Sequence, residues 1–204
     1  MTSDISSSQR YRITIVLIAL NVAVYVYTSV AGGNWISTSD SVIYQWGQVN
    51  QLVLSYGAYY QLLTSMFVHA SVIHIAGNML FLLIFGLRGE EMFSLPEYLG
   101  VYILGGLAGN VLSLLIPNMV SVGASGAIFA LFGAVAVYAR RSIGQSIIGA
   151  VIFGLFLLII SSGADVNYLA HIGGLASGLA MGYVLSKIRK PRGYRVNSNI
   201  MTPF

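Results

Sequence analysis

Cysteine is absent from this chain. That excludes a disulfide framework, a Cys-x-x-Cys redox motif and a zinc–thiolate site. Charge is scarce as well: 8% of the 204 residues are Asp, Glu, Lys or Arg, where a soluble domain carries about 25%. Three histidines and six acids leave little from which to build a metal site, and neither a metal nor a cofactor is expected. What is present is apolar. The chain is 56% hydrophobic with a mean hydropathy of +0.79, the composition of an integral membrane protein.

A membrane-crossing helix needs about 20 mostly apolar residues. Six segments qualify, at 11–30, 66–87, 96–116, 122–139, 145–162 and 168–187. They predict an all-α, polytopic membrane protein with six transmembrane helices. Arg10-x-Arg12 before an apolar run also fits a secretory signal peptide, but the run is longer than the usual h-region of about 7–15 residues. The domain reading is a Ser-rich, disordered cytoplasmic terminus at 1–9, a membrane domain at 10–189 and a basic cytoplasmic tail at 190–204. The long connection 31–65 has no Lys or Arg and carries Trp35 and Trp46, which suit an interfacial position.

The ten basic residues give the orientation. Arg10 and Arg12 precede the first span, Arg88 follows the second, Arg140 and Arg141 the fourth, and Lys187, Arg189, Lys190, Arg192 and Arg195 the sixth. Six crossings put all of them on one side, which the positive-inside rule makes cytoplasmic. The formal charge of +4 is therefore a topology signal and not a nucleic-acid surface. Asp40 and Asp165 are the charges left in the outer connections.

Spans 2, 4 and 6 all descend toward that basic side. Ser125 is 15 residues before Arg140, His171 is 16 before Lys187, and His74 is 14 before Arg88. At ~1.5 Å per residue these three lie ~21–24 Å above the inner boundary, a shared depth near the outer surface of a core ~30 Å thick. Asn78 is one turn deeper than His74 on the same face. Each has a simpler reading. An intramembrane serine bonds back to the i−4 carbonyl, and an asparagine joins helices. A histidine in a span defaults to function. His69, five residues before His74, faces elsewhere and reads as an anchor for the loop end.

Gly174, Gly178 and Gly182 form a stripe of small residues below His171, and Gly126, Ala130 and Ala134 form another below Ser125. Such stripes allow close helix approach, which a serine needs to reach a base within ~2.6–3.2 Å. In this arrangement Ser125 is the nucleophile and His171 its base, a dyad with no third acid. The His74 ring, the Asn78 amide and the Ser125 N–H serve as oxyanion donors. Water must reach such a site, so it opens to the outer face.

Gly123-Ala124-Ser125-Gly126, Ala170-His171-Ile172-Gly173-Gly174 and His69-x4-His74-x3-Asn78, in order and on successive descending spans, resemble the rhomboid intramembrane serine proteases. The resemblance implies a six-helix bundle with Ser125 and His171 catalytic and His74 and Asn78 at the oxyanion. It implies cleavage within or beside transmembrane segments of single-span or polytopic membrane proteins in a lipid bilayer, here a prokaryotic cell membrane. It also implies a mobile lateral entry at span 5, with Phe153 and Phe156. The chain reads as a minimal form without an appended soluble domain.

Three residues at two places depart from the family pattern. Tyr60-Gln61 stands where Trp-Arg is common, and its effect should be to weaken packing of the loop. Phe129 stands where some members have a tyrosine beneath the catalytic histidine, so the ring remains without its hydroxyl. Glu90 matches an acid the family often keeps and reads as structural. The rival readings are an inactive rhomboid-like protein that binds membrane clients and a small transporter. The latter is disfavoured because the polar set clusters near one face.

Overall fold

The structure, a computed structural model, describes residues 12–143, 148–149, 152 and 167–188. Most of the expected fifth span, including Phe153 and Phe156, together with Asp165 and the terminal segments 1–9 and 190–204, lies outside the described residues. The described chain runs α1 (Arg12–Ala31), α2 (Asp40–Trp46), β1 (Gln48–Val49), α3 (Asn50–Tyr56), α4 (Gln61–Thr64), α5 (Val72–Met92), α6 (Leu95–Ser113), β2 (Val120–Ser121), α7 (Ser125–Ile143) and α8 (Tyr168–Ile188). The fold is all-α and polytopic. Three of these helices are long and apolar enough to cross a bilayer by themselves: Arg12–Val30, Val72–Met92 and Tyr168–Ile188. With 19 residues each, α6 and α7 are ~28 Å long.

The central helix is α7. It packs against α5, α6 and α8, α6 also packs against α8, and α1 lies outside on α5. From Gly126 to Val135 every residue of α7 is buried. A helix enclosed on all sides needs small and apolar residues all round, and Ala127, Ala130, Gly133 and Ala134 supply the small ones.

Helix ends follow local chemistry. Ser71 caps α5, its Oγ accepting from the His74 N–H at 3.2 Å. At the start of α6 the Glu97 carboxylate accepts from the Ser94 N–H at 2.6 Å and the Ser94 hydroxyl at 2.7 Å, with Pro96 in the first turn. The Glu90 carboxylate accepts from the Thr14 N–H at 2.6 Å. Thr14 is in the first turn of α1, whose N–H groups have no carbonyl of their own. Glu90 thus joins the far end of α5 to the start of α1.

The second span differs from its expected bounds of 66–87. The helix begins at Val72 and continues to Met92. Gln61–Thr64 forms its own short helix, and the apolar Met66 and Val68 turn into the protein interior, 1% and 2% exposed. Their hydrophobicity reads as membrane span in sequence but is satisfied by the core. The fourth helix likewise starts at Ser125 rather than 122. Gly123 has φ +119°, a conformation incompatible with a right-handed helix and suited to glycine.

Between α1 and α5 the chain folds over the end of the bundle nearest Ser125. β1 pairs antiparallel with β2, Gln48 opposite Ser121 and Val49 opposite Val120. Gln61 is fully buried there. Its amide donates to the Tyr44 carbonyl at 2.9 Å and its carbonyl accepts from the Val49 N–H at 3.0 Å. The Tyr60 hydroxyl donates to the Gln45 carbonyl at 3.1 Å, and its ring meets Trp46 edge-on at 6.1 Å. The position where weakened packing was expected is therefore a bonded hub, because a buried amide supplies both a donor and an acceptor.

Candidate active site

Two helices that begin at the same end of the bundle hold the central pair. Ser125 is the first residue of α7, and His171 lies in the first turn of α8. The seam between them is lined by facing small residues. A Cβ added to Gly174 would collide with the Gly126 carbonyl, one on Gly178 with that of Ala130, and one on Gly182 with that of Ala134. The two stripes therefore meet in the register Gly174–Gly126, Gly178–Ala130 and Gly182–Ala134. The Ala170 carbonyl is in turn enclosed by Gly109 of α6 and Gly126 of α7. Backbone contact at this density brings the helix tops to side-chain bonding distance.

There the Ser125 Oγ lies 2.8 Å from the His171 Nε2. The Phe129 ring, one turn below Ser125, stacks on the imidazole with centroids 4.7 Å apart and planes 29° apart. His171 is 5% exposed, and its Nδ1 has no partner among the described residues. No described carboxylate reaches it.

The other predicted residues surround the Gly123 turn. A Cβ on Gly123 would come 2.8 Å from the His74 Nε2 and 3.6 Å from the Asn78 Nδ2. Only glycine lets the backbone approach both side chains this closely while holding a positive φ. One Asn78 amide hydrogen is used on the His74 carbonyl at 3.0 Å, which leaves a second N–H. The Ser125 N–H, in the first turn of α7, has no i−4 helical carbonyl of its own. The His74 ring and the Asn78 amide thus lie beside the Gly123 turn, two residues before Ser125.

His69 sits in the loop before α5, fully buried. Its Nε2 faces the Ala124 N–H at 3.5 Å and its Nδ1 the Phe67 carbonyl at 3.2 Å. The first bond needs Nε2 as acceptor and the second needs Nδ1 as donor, so both hold in one neutral tautomer. The Thr38 hydroxyl donates to the His69 carbonyl at 2.7 Å, and the His69 and His74 rings meet edge-on at 5.2 Å. Burial, then the neighbouring His74, pushes the His69 ring down to about 3, with the Phe67 carbonyl pulling the other way.

Sequence reasoning missed a buried polar network behind the site. Asn167 caps α8, its Oδ1 accepting from the Ala170 N–H at 3.1 Å. Its amide donates to the Ser121 Oγ at 2.6 Å and to the Ser113 Oγ. Asn50 donates to the Ser113 carbonyl at 2.6 Å, and Gln48 to the Asn110 carbonyl at 2.9 Å. Asn110 bonds the Leu62 carbonyl at 2.7 Å and the Ser65 Oγ at 3.0 Å. The start of α8, the end of α6 and the covering loop are therefore one bonded unit. Isolated Asn, Gln and Ser residues with no periodicity carry no signal in sequence, except that Asn167 just before an apolar run is a cap signal.

A family model described as the Rhomboid domain matches residues 56–188, more than half of the chain. The Rhomboid protease GluP of Bacillus subtilis (strain 168) is 31% identical over 172 residues, covering 81% of this chain and 33% of its own length. RHOMBOID-like protein 6, mitochondrial, of Arabidopsis thaliana is 35% identical over 133 residues, covering 62% of this chain and 43% of its own. Rhomboid-like protease 3 of Toxoplasma gondii is 32% identical over 131 residues, covering 60% and 50%. The chain spans between a third and a half of the length of these relatives. They come from a bacterium, a plant and Toxoplasma gondii, so the kinship does not select the prokaryotic membrane expected above.

Proposed function

The chain belongs to the rhomboid family, and we propose that it is an intramembrane serine endopeptidase that hydrolyses peptide bonds within or beside the transmembrane segments of other membrane proteins. The observation that carries this reading is the 2.8 Å approach of the Ser125 Oγ to the His171 Nε2. It supplies a hydroxyl with a base, which a serine needs before it acts as a nucleophile.

The Ser125 Oγ attacks the scissile carbonyl carbon while its proton passes to the His171 Nε2. The new oxyanion takes hydrogen bonds from the Ser125 N–H, the Asn78 amide and the His74 ring. These donors are held before reaction by the Gly123 turn, so they cost no reorganisation. As the intermediate collapses the C–N bond breaks, and His171 gives its proton to the leaving amine. A water then loses a proton to His171 and attacks the acyl-serine, releasing the acid and restoring the Ser125 hydroxyl. Phe129 fixes the plane of the imidazole. Among the described residues no carboxylate bonds Nδ1, and in this reading the pair works as a dyad.

The protein is an integral membrane protein. The basic residues Arg88, Arg140, Arg141 and Lys187 lie at the opposite ends of their helices from the site, which supports cytoplasmic termini and an active site opening to the outer face. The test is reconstitution with a panel of single-span substrates and mapping of the products by mass spectrometry. Two fragments cut within or beside the span are expected. Intact substrates across the whole panel, with folded enzyme, would reject the reading.

A further inference from the structure

The end of the α7–α8 pair remote from Ser125 carries a second feature. Arg141 is 16 residues after Ser125, and Lys187 is 16 after His171, so both lie ~24 Å along their helices from the site. Between them stands Tyr183, half exposed. The Arg141 guanidinium carbon lies 4.6 Å from its ring centroid, and the Lys187 ammonium lies 5.7 Å away. Two cations from two helices thus share one aromatic ring.

A ring face attracts cations but accepts little from their N–H groups. Both side chains are exposed, and neither has a salt-bridge partner among the described residues. Both cations are therefore held against one ring, with no described salt-bridge partner, at the depth where lipid headgroups lie. We propose that Arg141, Lys187 and Tyr183 form a cradle for the phosphate of an anionic phospholipid in the leaflet at this end, clamping the two helices that carry Ser125 and His171. Tyrosine suits this level because its ring is apolar and its hydroxyl wet. Arginine adds a planar fork that matches phosphate oxygens.

The test is native mass spectrometry of the full chain released from bilayers holding phosphatidylglycerol and phosphatidylcholine in equal amounts. The wild type is expected to retain phosphatidylglycerol in excess, by roughly fivefold for each cation engaged. The Arg141→Gln/Lys187→Gln double variant should lose that excess. Tyr183→Leu, which keeps every charge, should reduce it. Arg140→Gln, which removes a neighbouring cation outside the cradle, should keep most of it. Equal retention of the two lipids by the wild type would overturn the proposal. So would an Arg140→Gln effect as large as that of the double variant, since the attraction would then be general surface charge. Displacement of the lipid by inorganic phosphate at matched concentration would overturn the assignment to a lipid.

Discussion

Gly178 lies directly against Ala130, so that a Cβ at position 178 would overlap the Ala130 carbonyl oxygen. This contact sets the separation of α7 and α8 two turns below the Ser125–His171 pair. Gly178→Leu should cost about 1–3 kcal/mol or more, the range for overpacking, and should lower cleavage even in protein that remains folded. Thermal unfolding and cleavage rates check both effects. Gly100→Ala is the matched control. Nothing lies within 4 Å of a Cβ there, and stability should hold or rise.

Phe129 stacks on His171 but has no atom that bonds it. Its contribution is orientation, and a ring contact of this kind is worth about 0.5–1.5 kcal/mol. Phe129→Leu should lower kcat by up to about tenfold while leaving KM nearly unchanged. Phe129→Tyr should retain activity, because the stacked ring is kept. A rise in KM with constant kcat would place Phe129 in substrate binding instead.

Gln61 makes the bonds that hold α2 and β1 over the site end of the bundle. Gln61→Ala strands the Val49 N–H and the Tyr44 carbonyl. The Val49 N–H is buried, and stranding it costs about 1–3 kcal/mol. A lower melting temperature and faster proteolysis within 40–65 are expected. Unchanged values for both would show that the loop is held elsewhere.

His69 is held neutral in the folded protein, its ring pushed down to about 3 from 6.5. The unfolded chain takes up a proton near 6.5 and the folded one does not. The stability from this group is therefore complete above about pH 6.5 and declines as the pH falls toward 3. Unfolding at pH 7 and pH 4.5 should show the loss. His69→Gln, whose amide can still accept from the Ala124 N–H, should have a shallower dependence. An identical slope in the two proteins would contradict this role.

Much of the site was legible because its signals are short and periodic. Ser125, His171 and His74 are countable from the basic residues at the helix ends. The facing stripes are visible as small residues at every fourth position, and their register in the structure is one-to-one. The start of α5 was not legible. Met66, Phe67 and Val68 are as apolar as a span, and hydropathy does not distinguish burial in protein from burial in lipid. The Gln61 hub and the Asn167–Ser113–Asn50 network were hidden for another reason. Their partners are backbone and side-chain groups up to 66 residues away in sequence, as for Asn50 and the Ile116 carbonyl. The β1–β2 pair, two residues on each side, is too short to show alternation.

Labelling by a fluorophosphonate probe tests the Ser125–His171 pair most directly. The wild type in a bilayer or detergent should be labelled, with the adduct mapped to Ser125. Ser125→Ala should take no label and His171→Ala very little, with both variants folded. Labelling that persists in folded Ser125→Ala protein, or is absent from a wild type that also leaves every model substrate intact, would contradict a serine protease and favour a client-binding role.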